Sequence, residues 1–299
     1  MGLHFVHIRR FQLTFYLCFI FFISISSFSR PQIKLLNLLD REIPFADSWT
    51  WQKEILENYI SLQGNFNTRN AGTLLMLQHK NVYTVLDNLL LSGCYLTRSP
   101  VSNQLGTATK EGGGPLTNMI DSPENLPYEV YNIERGGQAT YHGPGQIVLY
   151  PILDLNFFEK DIHMYLRKLE DVVLITLQKL GIPGARRIDG LTGVWVKNSK
   201  IAAIGIKISR WVTMHGVSVN VHPDLRYFSN IVPCGISDPD KSVGSICQYI
   251  PNISMEEVSD VLLASFQNEF QIEFSEYLSG NDAFNYINMQ SYRKMCSEI

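Results

Sequence analysis

Residues 193–221 read GVWVKNSKIAAIGIKISRWVTMHGVSVNV, a run of strand patterns with only short breaks between them. Two apolar strands flank Asn198-Ser199 and predict a hairpin. The third alternates Val217, Val219 and Val221, which predicts a strand with one covered face. Strands that follow each other so closely leave no room for a strict strand–helix–strand alternation. Helical patterns lie on both sides. HMYLRKLEDVVLITLQKLGIP puts Leu166, Leu169, Val173, Leu177 and Leu180 on one face, and Gly181 and Pro183 stop it. SMEEVSDVLLASFQNEF opens with Ser254 and Glu257 at the spacing of a capping box. The expected fold class is therefore mixed α/β (α+β), a single domain with a curved mixed sheet flanked by helices.

Further elements fit that frame. DSWTWQKEILENYI places Trp51, Ile55 and Tyr59 four apart, a helix that Asp47 or Ser48 would cap. Thr73–Leu77 is a continuous apolar run, expected as a buried strand. QIVLYPILDL is another strand, with Pro151 expected at a bend or edge. YEVYNIERGG restores a strand signal after about residues 94–127, a polar, glycine-rich stretch expected as a flexible insert.

Of 299 residues, 45% are hydrophobic and 18% charged, with a net charge of −3. That is enough apolar material for one large core, and it lacks the basic excess of a nucleic-acid binder. Cys18, Cys94, Cys234, Cys247 and Cys296 are odd in number and widely spaced, with no C-x-x-C pair. A zinc knuckle or disulfide framework is disfavoured, and a reducing compartment fits. Residues 1–31 differ in kind: His4, His7, Arg9 and Arg10, an apolar run from Phe15 to Ile23, then serines. This is the layout of a targeting leader, which leaves 32–299 as the functional domain and no stable membrane role once it is removed.

Three features carry chemistry. RGGQATYHGPGQ (135–146) mixes four glycines with polar side chains, as a ligand loop does, but matches neither nucleotide-binding glycine pattern. Lys200 begins a strand and shares its parity with Ala202, Ile204, Ile206 and Ile208, so it is expected on an apolar face, where an unpaired ammonium is costly. Cys234 stands between Pro233 and Gly235, on a turn where sulfur is reachable. A lysine near a cysteine favours the thiolate, or takes its proton as a base. Each residue singly also fits a bland role: a bend thiol, a snorkelling lysine, a structural histidine.

Together, RGGQATYHGPGQIVLYPILDL, KIAAIGIKISRWVTMHGVSVNV and FSNIVPCGI resemble, in order, the signature blocks of the lipoyl(octanoyl) transferases, octanoyl-[acyl-carrier-protein]:protein N-octanoyltransferases. The resemblance spans roughly Ile33 to Phe270, without the insert. Where that family commonly has Glu-His-Pro-Pro and Thr-Leu-Gly, this chain has Gln78-His79-Lys80-Asn81 and Thr84-Val85-Leu86. The resemblance implies the fold shared by lipoate and biotin protein ligases. It implies Cys234 as the acyl-thioester nucleophile and Lys200, not Lys207, as the catalytic lysine. Substrate binding falls on Arg135, Gly136, Gly137, Gln138, Ala139, Thr140, Tyr141 and His142, on Ala203, Ile204 and Gly205, and on Gly216, Val217 and Ser218. The implied donor is octanoyl-acyl carrier protein. The implied acceptors are lipoyl domains of 2-oxoacid dehydrogenase E2 subunits or the glycine cleavage H protein, with no cofactor, ATP or metal. Rival readings are an ATP-dependent lipoate or biotin protein ligase, a cysteine hydrolase and a non-catalytic carrier-protein-binding module. The leader and the reduced thiol together point to a plastid reached through the secretory route, with the mitochondrion as alternative.

Overall fold

The computed structural model describes residues 30–63, 70–86, 127–134, 139–231 and 240–297. β1 (Gln32–Ile43), α1 (Phe45–Leu62) and β2 (Asn70–His79) make a parallel crossover at the start of the domain. β1 was not singled out by its sequence pattern. It is buried on both faces over much of its length and so lacks alternation. α1 starts two residues ahead of Asp47. Pro44 takes the cap position and Ser48 Oγ donates to Phe45 O within the first turn, so neither Asp47 nor Ser48 is the cap.

The rest of the main sheet is β6 (Gln146–Leu153), β7 (Ala185–Ile188), β8 (Leu191–Val196), β9 (Ser199–Ser209), β10 (Val212–Asn220), β11 (Ser242–Val243) and β12 (Glu273–Ser279). Their spatial order is β12-β1-β2-β6-β10-β9-β8-β7, with β11 beside β9. Parallel pairs at one end and antiparallel pairs at the other make the sheet mixed, as expected. The β8–β9 hairpin turns at Lys197-Asn198, one residue earlier than its sequence suggests, because Val196 pairs with Ser199.

α2 (Ile162–Lys179) and α3 (Met255–Phe270) cover one face of this sheet, over a core that includes Leu74, Leu149, Val173, Val217 and Phe266. Asp161 caps α2, and the Ser254–Glu257 capping box closes the start of α3. α1 and α4 (Gly280–Ser297) cover the other face over Leu36, Leu75, Leu77, Val148 and Tyr150. Each fully buried aliphatic side chain contributes about 1.5–3 kcal/mol of transfer free energy to this packing. No helix among the described residues is long and apolar enough to cross a membrane.

A second, smaller sheet lies outside the first. β3 (Val82–Leu86) pairs in parallel with β4 (Val130–Ile133) and antiparallel with β5 (Thr140–His142). Residues 87–126, between β3 and β4, hold most of the insert and lie outside the described set, as does the leader up to residue 29.

Pro151 departs from expectation. It sits in β6, a central strand between β2 and β10, and pairs with Leu74 of β2. On the β10 side the ladder covers only Gln146–Leu149. Past it, His215 takes a left-handed φ of 62° and Thr213 Oγ1 replaces the ladder, accepting from Leu153 N and donating to Pro151 O. Proline's missing N–H costs little where the partner strand has already broken register.

Candidate active site

Small side chains at four neighbouring register positions open a trough in the main sheet. Gly205 of β9 pairs with Gly216 of β10, and Ala203 pairs with Ser218. Elsewhere on these strands isoleucine and valine fill such space. Gly216 is fixed by contact as well: a Cβ there would stand 2.2 Å from Leu149 O and 2.6 Å from Pro151 Cδ. Phe45 of α1, Ile133 of β4, and Thr140 and His142 of β5 roof the trough, and the result is a cavity of about 200 Å³. Val148 and Tyr150 of β6 add one wall, and the Gly190–Thr192 stretch adds another.

Lys200 lines this cavity, although not on the strand parity its sequence suggested. Val194 pairs with Ala202 while Trp195 pairs with Lys200, so β9 carries one extra residue at Ile201. That bulge turns Lys200 to the side of Ala203 and Gly205, while Ile201 and Ala202 join the core beneath the helices. Lys200 is 3% exposed, and its Nζ lies 5.0 Å from the centre of the Trp195 ring. Among the described residues no carboxylate forms an ion pair with it. Lys207, further along the same side of β9, is instead paired with Glu134, whose carboxyl it holds below the usual range.

Of the residues expected at a site, Thr140, His142, Lys200, Ala203, Ile204, Gly205, Gly216, Val217 and Ser218 meet at this one cavity. Ala139 and Tyr141 do not line it. They pack in a separate buried cluster with Tyr83, Phe228 and Ile231. Arg135, Gly136, Gly137, Gln138 and Cys234 lie outside the described residues.

The glycine-rich loop is tied down by its polar side chains. His142 Nδ1 donates to Gln146 Oε1, and Gln146 Nε2 donates to Tyr141 O and Asn220 Oδ1. Asn220 Nδ2 continues to Gly244 O at 2.9 Å, and Gly244 N donates to Lys200 O at 3.0 Å. One chain of bonds thus runs from the loop to the backbone of Lys200. Gln78 and Asn81 serve the same loop. Gln78 Oε1 accepts from Gly145 N, and Asn81 Oδ1 accepts from the Tyr141 hydroxyl.

Tyr150 and His79 were not foreseen as site residues. Tyr150 lines the cavity, and its hydroxyl meets His79 Nε2 at 2.7 Å. His79 Nδ1 meets Ile43 O at 3.0 Å. A carbonyl can only accept, so Nδ1 carries the proton and Nε2 accepts from Tyr150. Burial pushes the imidazole down to about 4, which keeps it neutral. A tyrosine within an apolar strand and a histidine at a strand end gave no periodic signal.

The Lipoyl protein ligase A/B catalytic domain family model matches residues 116–267. An octanoyltransferase of Synechocystis sp. is 41% identical over 82% of this chain and 92% of its own length. The chain belongs to the octanoyltransferase family. A chloroplastic octanoyltransferase of Arabidopsis thaliana is 40% identical over 80% of the chain and 76% of its own. As an octanoyltransferase the chain is an acyltransferase acting in octanoyl transfer for lipoylation. Solved structures agree on the fold. A lipoate-protein ligase A bound with ATP superposes with a TM-score of 0.57 at 15% identity, covering 88% of this chain and 95% of that one. A chain from the structure of a bipartite lipoate protein ligase and its E2 lipoyl domain from Thermoplasma acidophilum gives 0.55 at 17% identity, covering 88% and 92%. The octanoyltransferase therefore has the lipoate-ligase catalytic fold.

Proposed function

We propose that this octanoyltransferase moves octanoyl from octanoyl-acyl carrier protein to a lysine of an apo lipoyl domain by way of Cys234. In the first half-reaction the Cys234 thiolate attacks the thioester carbonyl. A Cys234–octanoyl thioester forms, the bond to the phosphopantetheine sulfur breaks, and that sulfur leaves as a thiol with a proton from the Lys200 ammonium. In the second, the acceptor lysine's neutral amine attacks the new thioester. An amide forms, the Cys234 sulfur leaves as a thiolate, and Lys200 takes up the amine's proton. The thioester is already activated, so the reaction needs neither ATP nor metal. The acyl chain lies in the trough over Gly205 and Gly216.

The observation that carries this reading is Lys200 itself: an ammonium 3% exposed, on a cavity wall, with no carboxylate partner among the described residues. A charge so placed is costly unless an anion faces it, and a thiolate is such an anion. Chain connectivity supports the assignment of Cys234 to the same region. Val243 pairs with Lys200, and it packs against the cluster that holds Ile231. A strand neighbour of Lys200 thus shares a cluster with Ile231, three residues before Cys234. Three residues of extended chain from Ile231 reach about 11 Å.

The acceptors would be lipoyl domains of 2-oxoacid dehydrogenase E2 subunits or the glycine cleavage H protein. The plastid is the proposed compartment, supported by the chloroplastic relative and by the leader, which points to entry through the secretory route. The test of function is purified chain with octanoyl-acyl carrier protein and an apo lipoyl domain, without ATP, read by intact mass. Octanoylated lipoyl domain is expected. A product that forms only when free octanoate and ATP are supplied would overturn the reading.

A further inference from the structure

A buried carboxylate on the far side of the sheet reaches the site through the backbone. Glu170 of α2 is 3% exposed. Its Oε2 accepts from Arg167 Nη1 at 2.9 Å and from Arg187 Nε at 2.7 Å. Its Oε1 accepts from the backbone N–H of Gly193 at 3.1 Å. Arg187 belongs to β7; it also pairs with Asp171 at 2.6 Å and donates to Arg167 O at 3.0 Å. One carboxylate thus joins α2, β7 and the start of β8.

Gly193 is where that clamp meets the cavity. It directly follows the Gly190–Thr192 wall, and its φ is +121°. A Cβ on Gly193 would stand 2.5 Å from Ala202 O and 3.5 Å from both Cδ and Cε of Lys200. The Lys200 stem therefore passes over Gly193 with room for about one more carbon between them, so the position of the Gly193 backbone sets the space the stem occupies. Two residues on, the Trp195 ring lies 5.0 Å from the ammonium. The stem of Lys200 is long and flexible, and ordering such a side chain costs up to about 2 kcal/mol of rotamer entropy. A wall held in place by charge-assisted bonds meets that cost in advance.

We infer that Glu170 is a positioning residue for Lys200, acting through the Gly193 backbone. It touches neither substrate nor the reacting atoms. Its catalytic consequence rests on the role proposed above for Lys200; its effect on the placement of Lys200 does not.

The test is reductive methylation of the full chain, with Lys200 read by peptide mass spectrometry against exposed Lys197 in the same sample. In Glu170→Ala the Lys200-to-Lys197 rate ratio should rise at least about fivefold. If that variant does not fold, Glu170→Leu, which refills the volume without an acceptor, should show the same rise. Glu170→Gln keeps an oxygen for Gly193 but turns an amide N–H group toward the Arg167 and Arg187 donors, so its rise should be smaller than that of Glu170→Ala. An unchanged ratio in the folded Ala or Leu variant would overturn the inference, as would a Gln variant as loose as Ala. The pH profile of Cys234 alkylation separates the two proposals. If Lys200→Met leaves that profile unmoved, the thiolate role of Lys200 fails while the methylation result still decides Glu170. If Lys200→Met raises the midpoint, the loosened Glu170 variant should raise it too, and a purely structural role for Glu170 would not.

Discussion

Gly205 and Gly216 face each other across the β9–β10 ladder, two positions without side chains in the floor of a cavity walled by Val148, Tyr150 and Lys200. This pairing turns a sheet surface into a trough. It predicts that a branched side chain at 205, which projects into the trough, excludes part of an acyl chain. Gly205→Val should lower kcat/KM for octanoyl-acyl carrier protein by about tenfold or more. A butanoyl donor should be affected far less. Equal losses for both donors, measured by single-turnover acylation, would place the acyl chain elsewhere.

Gly216 is constrained differently, by its neighbours rather than by the ligand. A methyl group there would meet Leu149 O at 2.2 Å, and backbone cannot yield as a side-chain tip does. Gly216→Ala should therefore cost about 1–3 kcal/mol in denaturant unfolding, or more if β10 must shift from β6. A stability equal to that of the unaltered chain would show that the strands are not packed so closely.

His79 makes stability depend on pH. It is neutral in the fold and titrates at about 4, whereas an unfolded histidine titrates near 6.5. Above about pH 6.5 neither state carries the proton, and the full stability is present. As pH falls from there toward 4, the unfolded chain takes up a proton that the folded chain refuses. Stability should drop across that window by roughly 3 kcal/mol. His79→Gln, which does not titrate, should lack that part of the slope when unfolding is followed from pH 7.5 to 4. An identical slope in both proteins would rule out a buried neutral His79.

What was legible in the sequence follows from what each signal depends on. The α2 stripe, the Ser254 capping box and the β8–β10 strands are local patterns, and they stand within a residue of where the sequence put them. β1 and Pro151 were harder because their character is set by partners. A strand covered on both faces has no alternation to read, and a proline is tolerated in a central strand only because β10 breaks register beside it. Lys200 was found for an imperfect reason. Its placement on an apolar parity overlooked the bulge at Ile201, which alone turns it into the cavity. His79, Tyr150 and Glu170 act through contacts made across the fold, at separations no periodicity records.

The central claim is that octanoyl passes through the Cys234 sulfur under the control of Lys200. Intact mass spectrometry of the chain mixed with octanoyl-acyl carrier protein alone tests it most directly. One octanoyl adduct should appear, map to the peptide holding Cys234, and vanish when an apo lipoyl domain is added. Lys200→Met should form the adduct more slowly at every pH near neutrality. An adduct that persists in Cys234→Ala, or octanoylated lipoyl domain made by that variant at the unaltered rate, would contradict the account.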